Sequence, residues 1–232
     1  MRLALVGYGR MGRTIAALAG ARGHQVVLVV DEAENPAGQA LVPERLRGVE
    51  VALEFTTPAS APTNLIRLAE AGVPTVCGTT GWNGDLPRVA GAVRERHGAL
   101  VHAANFSVGV HLFLRTAREL ARRFAAHPEF DAFILEEHHA RKPDAPSGTA
   151  LTLQATAAGA DPARRFPITS VRAGSIPGNH TLTYDGPHES VALAHEARSR
   201  EGFAAGALLA AEWLPGHTGV FTFEDLLFGE DR

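Results

Sequence analysis

Leu3-Ala4-Leu5-Val6-Gly7-Tyr8-Gly9-Arg10-Met11-Gly12 is the stretch whose reading decides the fold. Its four apolar residues read as a buried strand, and residues 10–22, stopped by Gly23, read as a helix. Between them the glycines satisfy a GxGxxG spacing. Gly7 permits a tight turn, Gly9 lets backbone approach a pyrophosphate, and Gly12 allows close packing of helix on strand. The helix start offers unpaired N–H groups and a partial positive charge to phosphates. Alone, the pattern fits an ordinary glycine-rich turn equally well. Its strand-turn-helix setting counts for more, as does Asp31, an acidic residue about twenty positions on at the end of a second strand. That carboxylate can accept hydrogen bonds from adenosine ribose hydroxyls. It would also repel a 2′-phosphate, so NADH is favoured over NADPH.

Further along, strand-like residues 49–55, 75–77 and 99–103 alternate with helical residues 59–71 and 86–97, while residues 32–41 read as a loop. Such alternation implies right-handed crossovers and a parallel sheet covered on both faces. Gly78-Thr79-Thr80-Gly81 follows the fourth strand and Ala103-Ala104-Asn105-Phe106 the fifth. Either could be plain turn chemistry. Both fall at the carboxyl edge of the sheet, where ligands gather, which favours a nicotinamide-side role for Gly78, Thr79, Thr80 and residues 103–106.

After Asn105 the pattern changes. An amphipathic helix over residues 108–126 precedes strand-like residues 131–137, 168–173, 180–184 and 191–197, with a helix at 149–158 and a last helix near 203–213. This half reads as a mixed or antiparallel sheet packed on helices by one face, its other face meeting a second copy of the chain. The expected fold class is α/β: an N-terminal Rossmann-type parallel sheet domain, residues 1–105, plus an α+β domain with a mixed open sheet, residues 106–212.

With 232 residues, 45% hydrophobic and 20% charged, and a net charge of -3, the chain offers no field to attract nucleic acid or an anionic membrane. A small molecule or another copy is the expected partner. A single cysteine, Cys77, excludes an internal disulfide and a thiolate metal cluster, and its apolar surroundings suit a buried inert thiol. No signal-peptide pattern and no bilayer-length apolar run is present, so a cytoplasmic location is expected.

The densest chemistry lies in Glu136-Glu137-His138-His139-Ala140-Arg141-Lys142-Pro143-Asp144-Ala145-Pro146-Ser147-Gly148-Thr149. Two histidines end a strand, a lysine follows in a proline-bounded loop, and Ser-Gly-Thr opens a helix. Cationic groups beside a helix N-terminus make a pocket for a carboxylate, held by the Gly148 and Thr149 N–H groups and the Ser147 and Thr149 hydroxyls. A histidine there can shuttle a proton near neutral pH. The bland alternatives are one core and one exposed histidine, and a plain helix cap. Neither HExxH nor clustered cysteines support a metal. Lys142 tips the balance: it is the sole lysine in an arginine-rich chain, and lysine, unlike arginine, can be tuned to give up its proton.

GYGRMG, CGTTGW, AANFSVGV, EEHHARKPDAPSGTA, VRAGSIPGNH and EARSREGFAAGA together resemble the successive motifs of the 4-hydroxy-tetrahydrodipicolinate reductase (dihydrodipicolinate reductase) family, from the first strand to the last helix. The resemblance implies reduction of 4-hydroxy-tetrahydrodipicolinate with NADH or NADPH in the diaminopimelate route to lysine. It also implies a C-terminal tail, residues 213–232, returning to the nucleotide domain, and a homotetramer built on the central sheet. His138 would be the catalytic proton donor and Lys142 a second. His139, Lys142, Ser147, Gly148 and Thr149 would bind substrate carboxylates. Gly7, Tyr8, Gly9, Arg10, Met11, Gly12, Asp31, Gly78, Thr79, Thr80, Ala103, Ala104, Asn105 and Phe106 would line the dinucleotide. Two departures stand out: the glycine loop is one residue shorter than in many relatives, and Glu32 stands where some carry an arginine for the NADP phosphate.

Overall fold

The computed structural model describes residues 1–229. Leu3, Ala4, Leu5 and Val6 of β1 (Arg2–Val6) are all fully buried, as a strand covered on both faces must be. The chain continues through α1 (Arg10–Ala21), β2 (Gln25–Val30), α2 (Pro43–Leu46), β3 (Val51–Glu54), α3 (Ala61–Glu70), β4 (Thr75–Cys77), α4 (Leu86–Glu95) and β5 (Ala99–His102). The expected loop at 32–41 holds two short 3-10 turns, Glu32–Glu34 and Pro36–Gly38. Next come α5 (Val108–Phe124), β6 (Asp131–His138), α6 (Gly148–Ala160), β7 (Ile168–Arg172), β8 (Asn179–Asp185) and β9 (Ser190–Glu196). Last are α7 (Glu201–Trp213), β10 (Gly219–Thr222) and α8 (Phe223–Phe228).

These elements form two compact units: Met1–Ser107 with the chain from Glu201 on, and Val108–Arg200. In the first, six strands run parallel in the order β2-β1-β3-β4-β5-β10. Strand order reverses at β1 and β3, so the crevice beyond their carboxyl ends is the topological switch point.

The expected break at residue 212 falls elsewhere, because α7 belongs to the first unit. Its face of small residues, Ala204, Gly206, Ala207, Ala210 and Ala211, is buried there. Arg22 clamps it, donating to the Ala205 carbonyl at 2.9 Å and to Glu212 at 2.9 Å. A side chain at Gly206 would collide with the Phe106 carbonyl, so the helix sits as close as backbone allows. The tail is more than a coil: β10 adds a sixth parallel strand beside β5. Residues 230–232 of that tail lie outside the described residues.

In the second unit the strand order is β7-β6-β8-β9, with β6 and β7 parallel and the other pairs antiparallel. One face packs Ala132, Ile134, Leu182 and Tyr184 onto Phe113, Leu114, Ala117 and Ala121 of α5 and Leu153 and Ala157 of α6. Side chains alternate along a strand, so Glu136 and His138 share this covered side of β6. On the opposite side Phe133, Thr183 and Ala192 stand in one row across three strands, and Phe133 is 41% exposed. Among the described residues no helix is long and apolar enough to cross a membrane.

Candidate active site

At the switch point Gly7 adopts φ +93°, a conformation that L side chains rarely take, and any side chain there would strike the Phe55 carbonyl. Nothing lies within 4 Å of the place a Gly9 β-carbon would occupy, and no side chain caps α1. The turn therefore keeps open space above the helix start, a cradle that fits a dinucleotide pyrophosphate. Asp31 is tied to this turn. Its Oδ1 accepts from the Glu32 N–H at 2.9 Å and from the Tyr8 N–H at 3.3 Å. Arg13 lies 5.7 Å from the Tyr8 ring centre.

Thr79 has a structural task the sequence did not suggest. Its hydroxyl donates to Glu54 at 2.7 Å and accepts from the Thr56 N–H at 2.7 Å. Glu54 ends β3 fully buried, and Asn64 at 3.3 Å, Cys77 at 3.2 Å and the Thr56 hydroxyl also donate to it. Phe106 is likewise core, its ring packed at a tilt against Phe55 and Phe223. Thr80 and Ala104 are exposed, whereas Ala103 carries its N–H to the Cys77 carbonyl at 3.1 Å. Asn105 accepts from the Ser107 N–H at 2.7 Å.

In the second unit everything turns on Glu136, which is fully buried. Arg172, opposite His138 in the β6–β7 register, grips it with both terminal guanidinium nitrogens at 2.7 and 3.0 Å. The Ser147 N–H at 3.2 Å, the Ser170 side chain and the Nδ1 of His138 also hydrogen-bond to Glu136. Arg172 also donates to the Asp144 carbonyl at 2.6 Å, and Lys142 binds the Asp144 carboxylate at 2.7 and 2.9 Å. Ser147 caps α6, accepting from the Ala150 N–H at 3.2 Å, while its hydroxyl meets His180 Nε2 at 3.0 Å. Beyond it, the α6 start at Gly148 is open, with nothing within 4 Å of where a β-carbon would stand. His139 follows the strand, and its buried Nδ1 has no hydrogen-bond partner.

Burial alone would raise the Glu136 carboxyl, but the Arg172 fork, Ser170 and His138 outweigh it and hold it at about 2. An ionised carboxylate only accepts, so the proton between the two groups belongs to His138 Nδ1. That leaves Nε2 as the exchanging nitrogen. Gly178 stands beside it, where a β-carbon would come within 2.9 Å of Nε2. The His138 imidazole is lowered from its ordinary value, first by burial and then by Lys142 and Arg172, against the raising effect of Glu136. Burial and the neighbouring His138 bring His180 down to about 4, so it is neutral at pH 7. Glu136, His138 and His180 bring donor atoms within 4.8 Å of one another, but hydrogen bonds to one another and to Ser147 already engage them.

The structure thus joins His138, Lys142 and Ser147 through groups the sequence reading passed over: Glu136, Arg172, Asp144 and His180. One signal was available. Glu-x-His on a strand places both side chains on one face two positions apart.

A parallel sheet with a glycine turn at its switch point, joined in the same chain to an acid–histidine–lysine network, defines a nicotinamide-dependent oxidoreductase. Family profiles described as dihydrodipicolinate reductase, N-terminus and C-terminus, match residues 1–106 and 109–227. The chain belongs to the dihydrodipicolinate reductase family. It is 35% identical over 242 residues to the 4-hydroxy-tetrahydrodipicolinate reductase of Christiangramia forsetii, covering 98% of each chain. A Xanthomonas euvesicatoria pv. vesicatoria protein of the same name is 42% identical over 180 residues, covering 77% of this chain and 73% of that one. In fold it is similar to dipicolinate-bound dihydrodipicolinate reductase from Paenisporosarcina sp. TG-14, with TM-score 0.82, 22% identity and coverage of 98% and 99%. The chain reduces 4-hydroxy-tetrahydrodipicolinate to tetrahydrodipicolinate with NAD(P)H in the diaminopimelate route of lysine biosynthesis.

Proposed function

We propose that His138 is the catalytic proton donor of this reduction, that Lys142 is the second donor, and that the first turn of α6 anchors a substrate carboxylate. One observation carries the reading: His138, Lys142 and Ser147 all hang on the single Glu136–Arg172–Asp144 network. Gly148 and Thr149 open α6 and present its N-terminal N–H groups to an anion. The unpartnered Nδ1 of His139 is a buried polar atom that a carboxylate oxygen would satisfy. The relative crystallised with dipicolinate holds a dicarboxylate of that kind. The substrate loses its 4-hydroxyl as water, bound NAD(P)H supplies the hydride to the resulting conjugated ring, and the protein's own task is to hold the dianion and protonate the carbon next to the reduced one.

The dinucleotide lies on Gly7, Tyr8, Gly9, Arg10, Met11 and Gly12, with Gly78, Thr79, Thr80, Ala103, Ala104, Asn105 and Phe106 shaping the nicotinamide side. NADH is the preferred form. Asp31 sits against the glycine turn with Glu32 beside it, and both repel a 2′-phosphate. Homotetramer formation accounts for the outward row of Phe133, Thr183 and Ala192. The enzyme is placed in the cytoplasm.

Absorbance of NADH and NADPH, with substrate made in situ from pyruvate and aspartate semialdehyde by the upstream synthase, tests these roles. NADH should give the higher kcat/KM, and His138→Gln should lower kcat by about 10²–10⁴-fold. Equal rates with NADPH would overturn the Asp31 reading, and near-normal turnover in Lys142→Arg would remove Lys142 as a donor.

A further inference from the structure

Resting on His138 as the donor, the network poses a problem of proton supply. Burial and two nearby cations, Lys142 and Arg172, push the ring toward its neutral form, which has no proton to give at Nε2. From every packed element the facing groups are Glu136 on its own strand, Arg172 on β7, His180 on β8, and Lys142 with Asp144 in the loop before α6. His180 is neutral at pH 7, and Lys142 is engaged with Asp144. Among the described residues only Glu136 touches the ring with a negative charge, and Arg172 alone forks onto that charge.

We infer that Glu136 and Arg172 act as an opposed pair of positioning residues for His138: Glu136 fixes Nδ1 and keeps the ring loaded with a proton, and Arg172 limits how strongly it does so. Neither needs to touch substrate. Glu136 orients the ring so that Nε2 faces out beside Gly178, where only a glycine leaves it room. Through its second contact, to the Asp144 carbonyl, Arg172 holds the same loop that carries Lys142. Both donors therefore depend on one guanidinium.

A general acid works only while protonated, so kcat falls as pH rises through its pKa. Removing the Glu136 charge must move that descending limb to lower pH, and removing the Arg172 charge must move it to higher pH. A residue that merely holds the fold would move neither. The test measures kcat from pH 5.5 to pH 9 in wild type, Glu136→Gln, Arg172→Gln and Arg172→Lys. In parallel, the His138 ring nitrogens are titrated by ¹⁵N NMR, assigned by their loss in His138→Gln. We expect opposite shifts of limb and NMR midpoint in the two Gln variants, and Arg172→Lys near wild type. At neutral pH Glu136→Gln should lose about 10–100-fold in kcat with little change in substrate KM. Shifts of the same sign, or a His138 midpoint that stays put, overturn the inference. Should Glu136→Gln not fold, an Arg172→Gln limb that stays or moves down does so, as does an equal shift in Arg172→Lys. Full kcat in His138→Gln would instead defeat the donor assignment, while the NMR titration still tests the pair.

Discussion

Two glutamates in this molecule, Glu54 at the end of β3 and Glu136 within β6, are both fully buried and are held in opposite ways. Glu54 receives donors that carry no charge: two threonine hydroxyls, the Asn64 amide and the Cys77 thiol. Glu136 receives an arginine fork and a histidine. Buried charge is costly unless hydrogen-bonded, and both sites meet that demand. What differs is whether a neighbour can change its charge. Around Glu54 the donors stay neutral across the working range, and burial together with Glu54 pushes the Cys77 thiol well above its ordinary 9.0. Around Glu136 a histidine can gain or lose a proton. The first carboxylate is a clamp on the turn that carries Thr79; the second holds the histidine proposed as the proton donor.

The comparison is most exposed to removal of the cation. Arg172→Met leaves Glu136 buried with its strongest partner gone, and should cost about 3–5 kcal/mol in denaturant unfolding. A loss no larger than that of an average surface substitution would show that the fork contributes little. Glu54→Gln keeps shape and one acceptor, so about 1–3 kcal/mol is expected, with a raised KM for the dinucleotide. Its kcat limb should not move with pH; a shift would erase the distinction between the two sites. The smallest effect is pH-dependent stability. His180 has a folded pKa of about 4 against an ordinary 6.5, so the stability it contributes is present above 6.5 and is lost as pH falls to 4. Glu136, at about 2 against 4.5, holds its contribution above 4.5 and loses it as pH falls to 2. Melting temperature should therefore decline in two stages, and His180→Gln should flatten the upper one.

How legible these features were follows from their physics. β1 and its turn announce themselves, because a doubly covered strand is wholly apolar and a tight turn needs glycine. β10 escaped notice, since three half-buried residues between a Gly-His segment and the α8 cap, Thr222, carry no clear period. The placement of α7 was equally hidden: an alanine-rich helix shows no preferred face, and it takes the Arg22 clamp and the approach of Gly206 to the Phe106 carbonyl to reveal what it packs on. Within the candidate site, His138 and Lys142 stood out by residue type and rarity. Glu136 carried no assigned role in the motif, although strand parity with His138 could have marked it. Arg172 is one arginine among many, and nothing local connects it with residues 28 to 36 positions earlier.

The second unit is inserted into the first, leaving it at Arg200, and this has a consequence for synthesis. Everything from Val108 to Arg200 leaves the ribosome as one uninterrupted stretch that can organise by itself. The nucleotide-binding unit begins earlier yet finishes later. Its sheet lacks the strand beside β5, and its first helix lacks α7, until residue 222 has been made. A nascent chain arrested after Arg200 but before that point would thus carry the Glu136 network complete and the sheet of the first unit unfinished.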